Sequence, residues 1–134
     1  MRVGLSTGRR LLVPEVVQTS GMDCGPAALK CLLEGFCIRA SYGRLREACH
    51  SDVEGTSIDT LEDVAVQLGL EAEQVMLPLD HLLMPQAEAL PAIVVVTLPN
   101  GITHFLVAWR RFAGYVEVMD PGMGRGDDNG CLTW

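Results

Sequence analysis

Residues 26–34 are apolar almost all the way round a helical wheel, with Ala27, Ala28, Leu29, Cys31, Leu32 and Leu33 leaving little room for a solvated stripe. That pattern predicts a buried helix. Pro26 suits its first turn and Gly35 its stop, so the helix begins near Cys24. The sequence leaves open whether Asp23 caps this helix, or Gly25 does with Pro26 at the first helical position; either keeps Cys24 at the N-terminus. Two amphipathic helices are expected next. One covers 41–50, with Ser41 as N-cap and His50 at its end. The other starts near Ser57, carries Glu62, Val64, Ala65 and Leu68, and stops at Gly69. Residues 78–83 predict one short helical turn. From there the signal becomes β-rich, with strands expected over 92–98, 103–110 and 115–120.

Residues 1–13 read as a lead-in, Glu71 to Glu73 as solvated surface, and the tail 125–134 as too polar for a final packed strand. With no internal repeat and no linker, residues 1–134 form one expected domain with a core over about 12–124. Helices first and a β-meander after give an α+β fold, N-terminal helices packed on an antiparallel sheet.

Composition narrows the function. A chain of 134 residues, 49% hydrophobic and 20% charged, is sized for one real core. Ten Lys and Arg against 17 Asp and Glu give a net charge of -7, which argues against a general nucleic-acid surface. The apolar run 90–97 is too short to cross a bilayer, and the N-terminus lacks the apolar core of an export signal. Five cysteines, Cys24, Cys31, Cys37, Cys49 and Cys131, are an odd number without a C-x-x-C pair, which favours a reducing cytoplasm over a disulfide framework or zinc ribbon. A zinc site drawn from these thiols with His50, His81 and His104 lacks the spacing; Cys31 and Cys49 read as core fillers, His50 and His81 as solvated helix ends.

The candidate chemistry lies in Gln18-x5-Cys24, His104 and Asp120. A helix N-terminus favours a thiolate, the form that attacks an amide. The Gln18 amide and the Cys24 backbone N–H then suit an oxyanion hole. The midpoint of His104 and Asp120 is residue 112. A hairpin turning at 111–113, with Gly114 supplying any positive φ, sets the two directly opposite one another. It also puts Leu106, Ala108, Val116 and Val118 on their face, with the Cys24 helix as the expected cover. Taken singly, a cysteine in an apolar helix is a small core residue and a lone histidine is structural. Together, in this order, they describe nucleophile, base and orienter.

At these residues the chain resembles the C39 family of bacteriocin-processing peptidases, papain-like domains at the N-terminus of peptidase-containing ABC transporters. The resemblance covers roughly residues 12–124. It rests on Gln18, on Asp23-Cys24-Gly25-Pro26-Ala27, on Gly55-Thr56-Ser57, on Leu90-Pro91-Ala92-Ile93, on Thr103-His104-Phe105 and on Asp120-Pro121. It implies Cys24 as nucleophile, His104 as general base and acid, Asp120 as orienter of the imidazole and Gln18 as oxyanion-hole donor, with no cofactor. The implied partners are a precursor peptide with a double-glycine leader and the transmembrane and nucleotide-binding parts of an ABC transporter, fused or separate, at the cytoplasmic face of the membrane. No spanning helix and no phosphate loop occur here, so a detached or stand-alone domain is expected. A non-catalytic, substrate-binding domain of the same kind and a papain-like acyl transferase remain open at this point.

Overall fold

The buried helix of the sequence is α1 (Cys24–Gly35), and every other layer is arranged around it. The computed structural model describes residues 1–4, 8–49, 55–123 and the backbone of 131–132. Among these, α1 is joined by α2 (Tyr42–Ala48) and α3 (Ile58–Gln67). Both begin on a serine whose Oγ accepts a first-turn N–H, Ser41 from Arg44 and Ser57 from Thr60, each at 3.2 Å. Helix α2 stops at Ala48, two residues short of the expected end, and His50 lies outside the described residues. Residues Leu79–Leu83 and Pro85–Ala87 form 3-10 turns.

The strands are β1 (Arg2–Gly4), β2 (Glu71–Glu73), β3 (Ala92–Thr97), β4 (Thr103–Phe112), β5 (Tyr115–Met119) and β6 (Cys131–Leu132), in the antiparallel order β2-β1-β3-β4-β5-β6. Three of these are strands the sequence reading did not expect, although the acidic run remains the exposed surface it was read as. The lead-in contributes β1. The acidic run Glu71 to Glu73 is an edge strand paired with it, bonded through Arg2 and Glu73 at 2.7 Å. The tail adds β6 beside β5. Such short strands carry no period of their own and are held by the partner's ladder.

The β4–β5 turn also differs from expectation. Arg111 and Phe112 stay in β4, and the turn is the pair Ala113 and Gly114, both at positive φ (48° and 83°), as a two-residue primed turn requires. From Phe112↔Tyr115 the register runs to Arg110↔Glu117, then shifts at a bulge on Trp109 to Ala108↔Val118.

The sheet has two covered faces. Phe105, Val107, Trp109 and Met119 join α1, α2 and α3 in the main core. Ala108 and Val116 join Leu82 and Ala89 in a second cluster, flanked by Val94 and Val118. The Cys24 helix therefore covers the face opposite to the one expected, because strand alternation assigns the larger side chains, Phe105 and Trp109, to the helix layer.

Helix α1 runs in the same direction as β4. Its C-terminal Gly35 lies on the Trp109 ring, so close that a Cβ would stand 2.8 Å from two ring carbons. At the other end the Gln18 N–H donates to Pro121 O at 2.9 Å. The helix is about 16 Å long at 1.5 Å per residue, and Trp109 and His104 are about 17 Å apart along the strand. Cys24 thus sits at the end of the sheet that carries His104 and Asp120.

Candidate active site

Three segments converge at that end of the sheet: the loop entering α1, the start of β4, and the residues after β5. His104 is the second residue of β4 and pairs with Val96 of β3. Asp120 follows the last residue of β5. By the Ala108↔Val118 register, position 120 faces position 106, so His104 and Asp120 are diagonal rather than opposed, which corrects the hairpin expectation. They still share a face, and His104 Nε2 bonds Asp120 Oδ1 at 2.7 Å. The same oxygen accepts the Gly122 N–H at 2.8 Å. A carboxylate oxygen only accepts, so Nε2 carries the proton and Nδ1 is left as the basic nitrogen of the ring. His104 is largely buried, at 12% side-chain exposure, which keeps the ring in one orientation.

Cys24 is the first residue of α1 and is 7% exposed. The first-turn N–H groups of a helix have no intrahelical acceptor, so backbone donors surround the thiol's position. Asp23 holds the N-cap position, which settles the two alternatives, but with φ -97° and ψ 11° its side chain does not cap. Instead this carboxylate, 1% exposed, accepts from Thr19 Oγ1 at 2.9 Å and pairs with Arg46 Nε at 3.0 Å. Sequence reasoning saw only a cap in Asp23. Its role in tying the entry loop to α2 depends on a partner 23 positions away, for which no local signal exists.

Gln18 lies on the entry loop. Its Nε2 donates to Ser20 O at 2.9 Å, and that carbonyl also accepts the Asp23 N–H at 3.2 Å, so the amide is folded back toward the helix start. One Nε2 hydrogen remains for another acceptor. Gln18 Oε1 is buried with no hydrogen bond among the described residues. An orphaned buried polar atom is costly and occurs in few places in a native fold.

The other thiols behave differently. Cys31 is fully buried and donates to Pro14 O at 3.1 Å; burial, reinforced by Glu34 and Glu117, pushes its pKa far up. Burial pushes Cys49 up to about 11. Cys37 is exposed just past α1. Among the described residues no cluster of His, Cys, Asp and Glu could hold a metal ion.

The family model for "Peptidase C39 family" matches residues 13–127. The chain belongs to this family. It is 31% identical over 104 residues, 78% of its length, to the pediocin PA-1 transport/processing ATP-binding protein PedD of Pediococcus acidilactici, of which it spans 14%. The peptidase domain of Streptococcus ComA, a bi-functional ABC transporter involved in a quorum sensing pathway, superposes with a TM-score of 0.72 at 25% identity, over 80% of this chain and 77% of that one. A double-glycine-motif protease from an AMS/PCAT transporter, solved with a leader peptide, gives 0.73 at 21% identity over 94% and 85% of the two chains. The α+β, papain-like fold expected from the sequence is the fold of these C39 domains, and this C39 domain is related to those of bacteriocin-processing transporters. Among its described residues no helix is long and apolar enough to cross a membrane.

Proposed function

We propose that this C39 domain is a cysteine endopeptidase that removes the leader of ribosomally made precursor peptides after a double-glycine motif. In this reading it acts on the cytoplasmic side, with the membrane and nucleotide-binding parts of an ABC transporter as partners. Cys24 is the nucleophile, His104 the general base and acid, Asp120 the orienter and Gln18 an oxyanion donor.

The observation that carries the reading is the His104–Asp120 bond at 2.7 Å, at the sheet end where α1 opens with Cys24. It leaves Nδ1 of His104 free to take the thiol proton. The Cys24 sulfur then attacks the carbonyl carbon of the glycine before the cut, while the oxyanion forms against the Cys24 N–H and Gln18 Nε2. His104 passes the proton to the leaving amine as the C–N bond breaks, and the leader stays as a thioester. Water, giving its proton to His104, hydrolyses the thioester and restores the thiol. Asp120 stabilises the imidazolium formed in each half-reaction.

The test is mass spectrometry of a synthetic peptide with a Gly-Gly site, incubated under reducing conditions with the chain and with Cys24→Ala. Cleavage after Gly-Gly by the parent alone supports the assignment. Binding without cleavage points to a substrate-holding domain instead, and cleavage by both proteins overturns Cys24 as nucleophile.

A further inference from the structure

Among the described residues Asp23 is the one charged side chain buried in the core. Burying a carboxylate is costly unless it is paired and hydrogen-bonded. This one stands immediately before Cys24, at the N-cap position of α1, where an aspartate ordinarily folds back to accept a first-turn N–H. The donors left for it there are few. The Asp23 N–H goes to Ser20 O at 3.2 Å, the Ala27 N–H goes to Asp23 O at 3.0 Å, and Pro26 has none. The N–H groups of Cys24 and Gly25 remain. A carboxylate resting on them would take the place of the oxyanion and set a negative charge beside the Cys24 sulfur.

The side chain is turned the other way. Its Oδ2 accepts from Thr19 Oγ1 at 2.9 Å and pairs with Arg46 Nε of α2 at 3.0 Å, so both partners grip one oxygen. Helix α2 reaches the same loop a second time, through Tyr42 Oη, which accepts the Thr19 N–H at 3.2 Å. Tyr42 and Arg46 are one turn apart and share a face of α2. The Arg46 side chain is itself 48% exposed, so its place is set by the carboxylate rather than by packing.

We propose that Arg46 is a positioning residue that keeps the Asp23 carboxylate off the start of α1, leaving the Cys24 and Gly25 N–H groups open to a substrate oxyanion. This rests on the peptidase reading above and deepens it, since it names what keeps the oxyanion hole empty between turnovers. It also separates two roles for the ion pair. A clamp that only stabilises the loop is weakened further by a second substitution within it. A guard against self-capping is repaired when the charge it guards against is removed.

The test compares kcat and KM on a Gly-Gly peptide for the parent, Arg46→Met and Arg46→Met/Asp23→Asn. Met has good helix propensity without a donor or a charge, and Asn still offers Thr19 Oγ1 an acceptor while carrying no charge. The expected result is a kcat about tenfold lower in Arg46→Met at unchanged KM, part of the full effect of an oxyanion donor, with most of it regained in the double variant. A parental kcat in Arg46→Met, or a double variant as slow as the single one or slower, overturns the proposal. If the parent cuts no peptide, the peptidase reading fails, and alkylation of Cys24 by iodoacetamide at pH 7, followed by peptide mapping, judges Arg46 instead. Slower labelling in Arg46→Met that the double variant restores supports the proposal; equal labelling in all three proteins, or slow labelling in both variants, overturns it. Should Arg46→Met fail to fold, Thr19→Val releases the same oxygen from its other partner and takes its place, with Asp23→Asn again as the repair.

Discussion

His104 and Asp120 bond at 2.7 Å as diagonal neighbours, because a bulge at Trp109 lies between them and the β4–β5 turn. Without that extra residue the register set at Phe112↔Tyr115 would run unbroken, and Asp120 would fall on the α1 face while His104 stayed on the other. The bulge restores the parity. Asp120→Asn keeps the shape but lets an amide N–H face Nε2, which favours the tautomer with its proton on Nδ1. We expect kcat to fall by about 10²- to 10⁴-fold with little change in KM or melting temperature. Steady-state kinetics beside thermal unfolding check this, and full activity reduces Asp120 to a turn residue.

The same bulge marks how far the sequence could be read. The apolar wheel of α1 and the serine caps of α2 and α3 are local signals, and they located these helices to within a residue or two. The pairing of His104 with Asp120 was legible only because the assumed turn and the real one differ by an odd number of register steps that the bulge cancels. A side chain such as Trp109 shows no sign in sequence that two residues of its strand oppose one of the next. Its position follows from Gly35 and Phe36 of the helix layer, where the Phe36 and Trp109 rings meet edge to face at 5.8 Å. Strands β1, β2 and β6 were missed because they have three residues or fewer and borrow their order from neighbours.

Gln18→Ala should separate activity from stability. Loss of an oxyanion donor lowers kcat by about 10²- to 10³-fold. Loss of the orphaned Oε1 removes a buried acceptor that contributes no bond, which offsets loss of the Nε2 bond to Ser20 O, a carbonyl that keeps the Asp23 N–H, so the melting temperature should change little. Kinetics and calorimetry on one preparation test both halves; an unchanged kcat removes Gln18 from the oxyanion hole.

Gly35→Ala should be among the most damaging single-methyl additions. The new Cβ would drive into the Trp109 ring, which is fully buried and held by Nε1 bonds to Arg10 O and Leu11 O at 3.1 and 3.3 Å. Neither α1 nor the ring can move away cheaply. A loss of about 1–3 kcal/mol is expected in urea unfolding, and a neutral result would mean that this end of the helix is loosely seated.

The buried thiols make stability fall at high pH. In the folded chain Cys31 and Cys49 have pKa values raised above the ordinary 9.0, Cys49 to about 11 and Cys31 further. Above pH 9 the unfolded chain has lost these protons while the folded chain still holds them. The unfolded state then binds fewer protons, and stability declines as pH rises, by about 1.4 kcal/mol per pH unit for each such thiol. For Cys49 the decline ends near pH 11, where the folded thiol also ionises. The variant Cys49→Ala should therefore show a shallower slope than the parent between pH 9 and 11, and the same slope below pH 8. Comparing the two proteins cancels whatever the other groups contribute equally to both. Alkylation at pH 8 supplies an independent check: peptide mapping should find the exposed Cys37 labelled in the native chain, and Cys31 and Cys49 labelled only after denaturation. Identical slopes in parent and variant would mean that Cys49 ionises as freely folded as unfolded, and that its surroundings do not exclude water.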